Sequence, residues 1–237
     1  LVPRARGDFR LGALYDGKLR LSIDSDIPRA DLRQRAQADL ERVTAEMFDI
    51  ARTVLATQGG ETPLPETTSL DQKRAAVAAA LELAANSRPV ASRLFEETNA
   101  TLADTTQFVR EKDLITLPDA PVKVIEMPKF QQGVAVAYCD SPGPLDRHLD
   151  TFYAISPIPA DWSEEQITSF LREYNSRSLY ELTIHEAMPG HYVQLWHANK
   201  YPGVLRAVLG SGAFIEGWAC YAQDVMIEAG HGGGDPL

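Results

Sequence analysis

Glu181-Leu-Thr-Ile-His185-Glu186-Ala-Met-Pro189-Gly190-His191 puts a His-Glu pair at the end of an apolar run and a second histidine six residues after the first. Further along, Glu216 opens the run Glu216-Gly-Trp-Ala-Cys-Tyr221. Two imidazoles, a carboxylate beside the first, and a distant carboxylate on a second helix are the parts of a catalytic zinc site. Such a site takes three nitrogen and oxygen ligands from the protein and keeps a fourth position for water.

The spacing demands a break in the helix. Histidines four apart are separated by about 400° of helical rotation and share a face, whereas histidines six apart are separated by about 600° and point to nearly opposite sides. Pro189 and Gly190 stand between them. Proline removes a backbone donor and crowds the preceding turn, and glycine accepts conformations that other residues avoid. A looped-out or widened turn at this point returns His191 to the face of His185. On the later helix Glu216, Asp224 and Glu228 all compete for the third ligand position. Ala219, Cys220 and Gln223 share the face of Glu216, while Trp218, Tyr221 and Val225 lie elsewhere on the wheel and read as packing residues.

Outward from this stretch the chain is mainly helical. Residues 1–25 read as irregular or only partly helical, broken by Gly7, Gly12 and Gly17. From Pro28 to Leu55, apolar Leu32, Ala36, Leu40, Val43, Met47, Ile50 and Leu55 recur at helical intervals, with Asp26 available as a cap. A Gly/Thr/Pro-rich linker at 58–68 follows. Helices are expected over 70–86, stopped by Pro89, and over 90–110. Val122–Met127, Gly133–Tyr138 and Thr151–Ile155 are rich in β-branched and aromatic residues and predict a small three-stranded sheet. Asp161 or Ser163 then caps a helix with Glu164 and Glu165 in its first turn, which leads, through a break near Ser176, to His185. A last helix covers about 213–228 and ends at Gly230. The fold class is α+β and mainly helical, with a helical region over 1–120 and the sheet plus metal-site helices over 121–237, packed together as one domain of a larger protein.

Composition sets the boundaries of the functional reading. Of the 237 residues, 44% are hydrophobic and 24% charged, as in an ordinary globular protein, and no apolar run reaches the length of a membrane span. The net charge of −10 speaks against a nucleic-acid partner, which requires a basic surface. Cys139 and Cys220 form no Cys-x-x-Cys pattern and read as two buried free thiols. His148, His197 and His231 read as structural or exposed histidines.

The combination His185-Glu-Ala-Met-Pro-Gly-His191 with Glu216-Gly-Trp-Ala-x-Tyr221 resembles the bacterial DUF885 family, as does the opening Pro3-Arg-Ala-Arg-Gly-Asp-Phe-Arg-Leu-Gly12. That family is similar to the gluzincin metallopeptidases, and its members are longer than this chain. The resemblance implies a zincin-like catalytic region with Zn2+ bound by His185, His191 and Glu216, and with Glu186 as general base. It implies a zinc-dependent hydrolase acting on a peptide or small amide substrate, most directly a metallopeptidase. Gln223 departs from the family pattern, which carries glutamate there. Two alternatives stand beside it. One is a metal-dependent amidase or esterase on a small non-peptide substrate. The other is a helical binding or scaffold domain whose metal, if any, is structural and closed by a fourth ligand such as His197.

Overall fold

A computed structural model describes residues 14–58, 69–143, 145–146 and 148–236, with the side chains of Arg206 and Ala207 left undescribed. Residues 1–13 of the N-terminal stretch and 59–68 of the expected linker therefore lie outside the described residues. The helices are α1 (Leu14–Ile23), α2 (Arg29–Thr57), α3 (Leu70–Asn86), α4 (Leu94–Lys112), α5 (Glu164–Glu173), α6 (Ser176–Glu186), α7 (His191–Asn199), α8 (Val204–Val208) and α9 (Gly212–Glu228). A short 3-10 turn at Ala91–Arg93 leads into α4. The strands are β1 (Lys123–Glu126), β2 (Ala137–Asp140) and β3 (Phe152–Ile155). The fold is α+β, mainly helical, with one small mixed sheet.

Side-chain caps set the starts of four helices among the described residues. Ser69 and Gln72 form a reciprocal capping box at α3, and Ser163 and Gln166 form another at α5. The Asn175 side chain accepts from the amides of Arg177 and Ser178, which ends α5 and starts α6 as two separate helices. Ser211 caps α9 by accepting from the Phe214 amide. Asp26 does not cap α2. Pro28 holds that position without a side-chain bond, and Asp26 instead lies 3.6 Å from Arg20. Pro28 fixes the backbone entering α2 but has no side-chain acceptor for the first amides, so α2 starts without the expected cap. Helix α1 forms through Gly17, and none of its residues is buried.

In the sheet, β3 is central. It runs parallel to β1, pairing Lys123 with Phe152 through Glu126 with Ile155, and antiparallel to β2, pairing Ala137 with Ile155 through Asp140 with Phe152. The middle position buries Tyr153, Ala154 and Ile155 and leaves β2 as an edge strand. The second strand falls later than the sequence implies. Gly133 has φ +84° and turns the chain, which exposes Val134, so the apolar run Gly133–Val136 precedes the strand.

Two apolar clusters result. The larger joins Leu94, Leu102 and Val109 of α4, Tyr153 and Ile155 of β3, Leu179 and Ile184 of α6, Tyr192 and Val193 of α7, and Ala222 and Met226 of α9. The smaller holds Phe48, Ala51, Val54 and Leu55 of α2 against Ala76 and Ala80 of α3. Among the described residues no helix is long and apolar enough to cross a membrane.

Candidate metal centre

The segment between the two histidines is a helix that widens as it ends. The Ala187 amide bonds to the Thr183 carbonyl four residues back, the Met188 amide reaches the same carbonyl five back, and the Gly190 amide reaches Ile184 six back, at 3.0, 3.0 and 2.9 Å. The Met188–Pro189 peptide bond is cis. Helix α7 then restarts at His191, with the Gln194 amide bonded to the Gly190 carbonyl. The two extra residues are absorbed in the widened turn, and His191 comes back beside His185, their ring centroids 4.7 Å apart and nearly perpendicular. Gly190 is obligatory here. A Cβ built on it would stand 1.8 Å from the His185 carbonyl oxygen and 2.3 Å from that of Ile184.

Glu216, in the first turns of α9, meets both rings. Its Oε2 is 3.7 Å from His185 Nε2 and 3.7 Å from His191 Nε2. The ligating atoms of the three residues lie within 4.8 Å of one another, and among the described residues they are the one group of three or more His, Cys, Asp or Glu so placed. Zinc bond lengths near 2.1 Å in a tetrahedron put neighbouring ligand atoms about 3.4 Å apart, so small side-chain rotations close the triangle. Asp224 and Glu228, further along α9, are not in the group.

The donor set suits a divalent transition metal. Burial holds His191 below the ordinary imidazole range, which favours the neutral ring that binds metal. His191 Nδ1 is buried without a hydrogen-bond partner, as is Gln194 Oε1 three residues on. A ring so placed leaves Nε2 as the atom facing the cavity.

Glu186 lies alongside. Its Oε2 accepts from the Cys139 amide at 2.9 Å, which ties the end of α6 to the edge strand β2. Burial, the largest influence, pushes the Glu186 carboxyl above the usual carboxylate range, while His185 and the Cys139 amide act in the opposite direction. A cavity of about 320 Å³ is lined by His185, Glu186, His191 and Glu216 together with Tyr138 and Cys139 of β2, Leu195 of α7 and Ile215 of α9. A larger open groove of about 1020 Å³ lies between α1 and α2, but its charged rim pairs with itself, Arg29 with Asp16 and Arg20 with Asp26. The chemistry converges in the smaller cavity.

The remaining histidines are engaged elsewhere or exposed. His197 Nε2 lies 2.9 Å from the Thr116 carbonyl, His231 Nε2 lies 3.2 Å from Asp104, and His148 is on the surface. Cys139 is half-buried and its thiol is pushed up by burial, but Cys220 is exposed, contrary to the expectation of two buried thiols. Its place on α9 turns it away from the buried Ala219 and Ala222. Tyr221 is likewise exposed rather than packed. Gln223 donates to the Glu181 carboxylate at 2.9 Å. The contributions of Tyr138 and Cys139 had no signal in the sequence, because the edge of a sheet has no periodicity that points at a distant helix end. Trp218 did carry one, since it sits two residues from Glu216, but it reads on the helical wheel as packing. Its indole N–H in fact donates to the Pro189 carbonyl at 3.0 Å.

The chain belongs to the DUF885 family, described as bacterial protein of unknown function, whose model matches residues 1–237. A solved structure from Shewanella oneidensis, described as "a putative lipoprotein of unknown function", is similar, with 32% identity and a TM-score of 0.81 over 94% of this chain and 39% of that one. A second, from Colwellia psychrerythraea and described as "the putative lipoprotein", shares the fold, with 21% identity and a TM-score of 0.69 over 95% of this chain and 36% of that one. The chain thus spans about two fifths of the length of these solved proteins. No curated protein matches it.

Proposed function

We propose that this chain carries the metal centre of a zinc-dependent hydrolase, a metallopeptidase that cleaves peptide bonds with an activated water. The observation that carries the reading is the convergence of His185, His191 and Glu216 within 4.8 Å, with the Glu186 carboxylate beside them in one cavity. Two histidines from one chain segment, a glutamate next to the first, and a third ligand on a later helix are the residue types a gluzincin-type site would use, here with the histidines six apart, and they support the reading.

When bound, zinc supplies a Lewis acid and lowers the pKa of a coordinated water. The protein's own groups do the rest. His185, His191 and Glu216 would hold the ion, and burial lowers the pKa of His191, which favours the neutral ring that donates a lone pair. Glu186 accepts a proton from the attacking water and passes it to the leaving amine, a role that favours a carboxylate whose pKa lies above the ordinary value. The Cys139 amide holds one Glu186 oxygen and leaves the other free to work. Tyr138, Leu195 and Ile215 partly exclude water around the reacting groups.

The test is hydrolysis of a panel of peptides, small amides and esters by zinc-loaded protein, with Glu186→Gln as control. Peptide cleavage that disappears in the variant while zinc content stays equal is the expected result. Cleavage of esters or small amides alone would move the reading to an amidase or esterase. Zinc without any hydrolysis would move it to a structural site.

A further inference from the structure

We propose that Trp218 is a positioning residue that sets where Glu216 stands relative to the two histidines, with Gln223 as its counterpart further along the same helix. The inference rests on the metal reading above. Glu216 is the ligand with least support of its own. Its side chain is 69% exposed, against 22% for His185 and 10% for His191, and it comes from a different element. Where its carboxylate sits therefore depends on where the backbone of α9 sits.

The start of α9 is weakly held by packing. Phe214 is exposed, and a Cβ on Gly217 would touch nothing within 4 Å. Burial begins at Ala219, followed by Ala222 and Met226. Small residues allow close approach to α6 but give few steric stops against sliding or rotation. A slip of one residue moves a helix by about 1.5 Å and turns it by about 100°, enough to take Glu216 out of the triangle.

Two side-chain bonds on either side of Ala219 prevent that slip. The Trp218 indole N–H donates to the Pro189 carbonyl at 3.0 Å, and Pro189 lies in the widened turn between the two histidines. The Gln223 amide donates to the Glu181 carboxylate at 2.9 Å and to the Glu181 carbonyl at 3.3 Å, one turn before His185. Both bonds join the helix of the third ligand to the segment that bears the first two. An indole that only filled space would not need its N–H on that particular carbonyl.

The experiment compares wild type, His191→Ala and Trp218→Phe, which keeps most of the ring and removes the donor. Gln223→Met, which removes the other bond, is the second variant. Zinc affinity is read by chelator competition, coordination geometry by the visible spectrum of the cobalt-loaded protein, and the metal-free fold by thermal unfolding and amide exchange. Trp218→Phe is expected to bind zinc roughly tenfold more weakly, with a changed cobalt spectrum. In the metal-free protein its Gly190 amide should exchange about fivefold faster, as loss of one hydrogen bond implies. Gln223→Met should shift zinc affinity in the same direction. Wild-type zinc affinity and Gly190 exchange in Trp218→Phe would overturn the inference and leave the metal centre standing. Wild type that takes up no more zinc than His191→Ala would overturn the metal reading, and this inference with it.

Discussion

The candidate metal-centre region and the α2–α3 hairpin use apolar residues in opposite ways. Around the centre, the stretch from Ala187 to Gln194 is buried without interruption, and polar groups on the elements around it are tied to specific partners: Thr183 to Tyr153, Glu186 to Cys139, Trp218 to Pro189. In α2 the expected apolar stripe is not the buried face: of its residues only Leu55 is buried. Leu40, Val43, Met47 and Ile50 are exposed, and burial is confined to Phe48, Ala51, Val54 and Leu55 against α3. A hydrophobic period therefore identifies which face of a helix is apolar and leaves open what packs on it. A break in the period, backed by residues that only one backbone path can hold, carries more structural information.

That contrast can be broken or sharpened by mutation. The largest effect is expected at Glu186. Glu186→Gln keeps the shape and the Cys139 contact but cannot accept a proton, so turnover should fall by about 10²–10⁴ with zinc content unchanged. Activity near wild type would remove Glu186 from the chemistry. Next is Gly190→Ala, whose methyl group would collide with two backbone carbonyls that cannot move aside. Unfolding free energy should drop by about 4 kcal/mol or more and zinc uptake should collapse, as measured by denaturant titration and metal analysis. A normal melt would mean that the widened turn is not the path the chain takes.

The two apolar clusters should also differ. Ile184→Ala, in the large cluster beneath His185, is expected to cost about 4 kcal/mol, whereas Leu55→Ala in the smaller hairpin cluster should cost about 2 kcal/mol. Equal costs would erase the distinction drawn here. Smallest of all, Leu40→Gln on the uncovered part of α2 should change stability by less than about 0.5 kcal/mol. A large loss there would show that a partner surface covers this stripe in solution.

Much of this was legible in the residues. The α+β class, the helix over 70–86 and the break before Ser176 follow from period and caps, and the structure carries them. The pairing of His185 with His191 was legible because an unbroken helix cannot unite them and Pro189-Gly190 supplies the interruption, whereas Glu216 was singled out from Asp224 and Glu228 only by the family resemblance. Other features depend on tertiary contacts that leave no local trace. Strand β2 falls after Gly133 rather than on it, since a positive φ cannot be read from a run of alternating Val and Ala. The exposure of Cys220 and Tyr221 reflects how α9 is rotated against α6, which buries Ala219, Ala222 and Met226 instead. The short α8 has neither cap nor period to announce it.

The central claim is that one ion is shared by His185, His191 and Glu216. It is tested most directly by the metal content of purified, zinc-equilibrated protein, compared with His185→Ala, His191→Ala and Glu216→Ala at matched folding by circular dichroism. The account predicts about one zinc per chain in wild type and a sharp loss in each of the three variants. Full zinc retention in His191→Ala would contradict it, because the widened turn would then serve no metal.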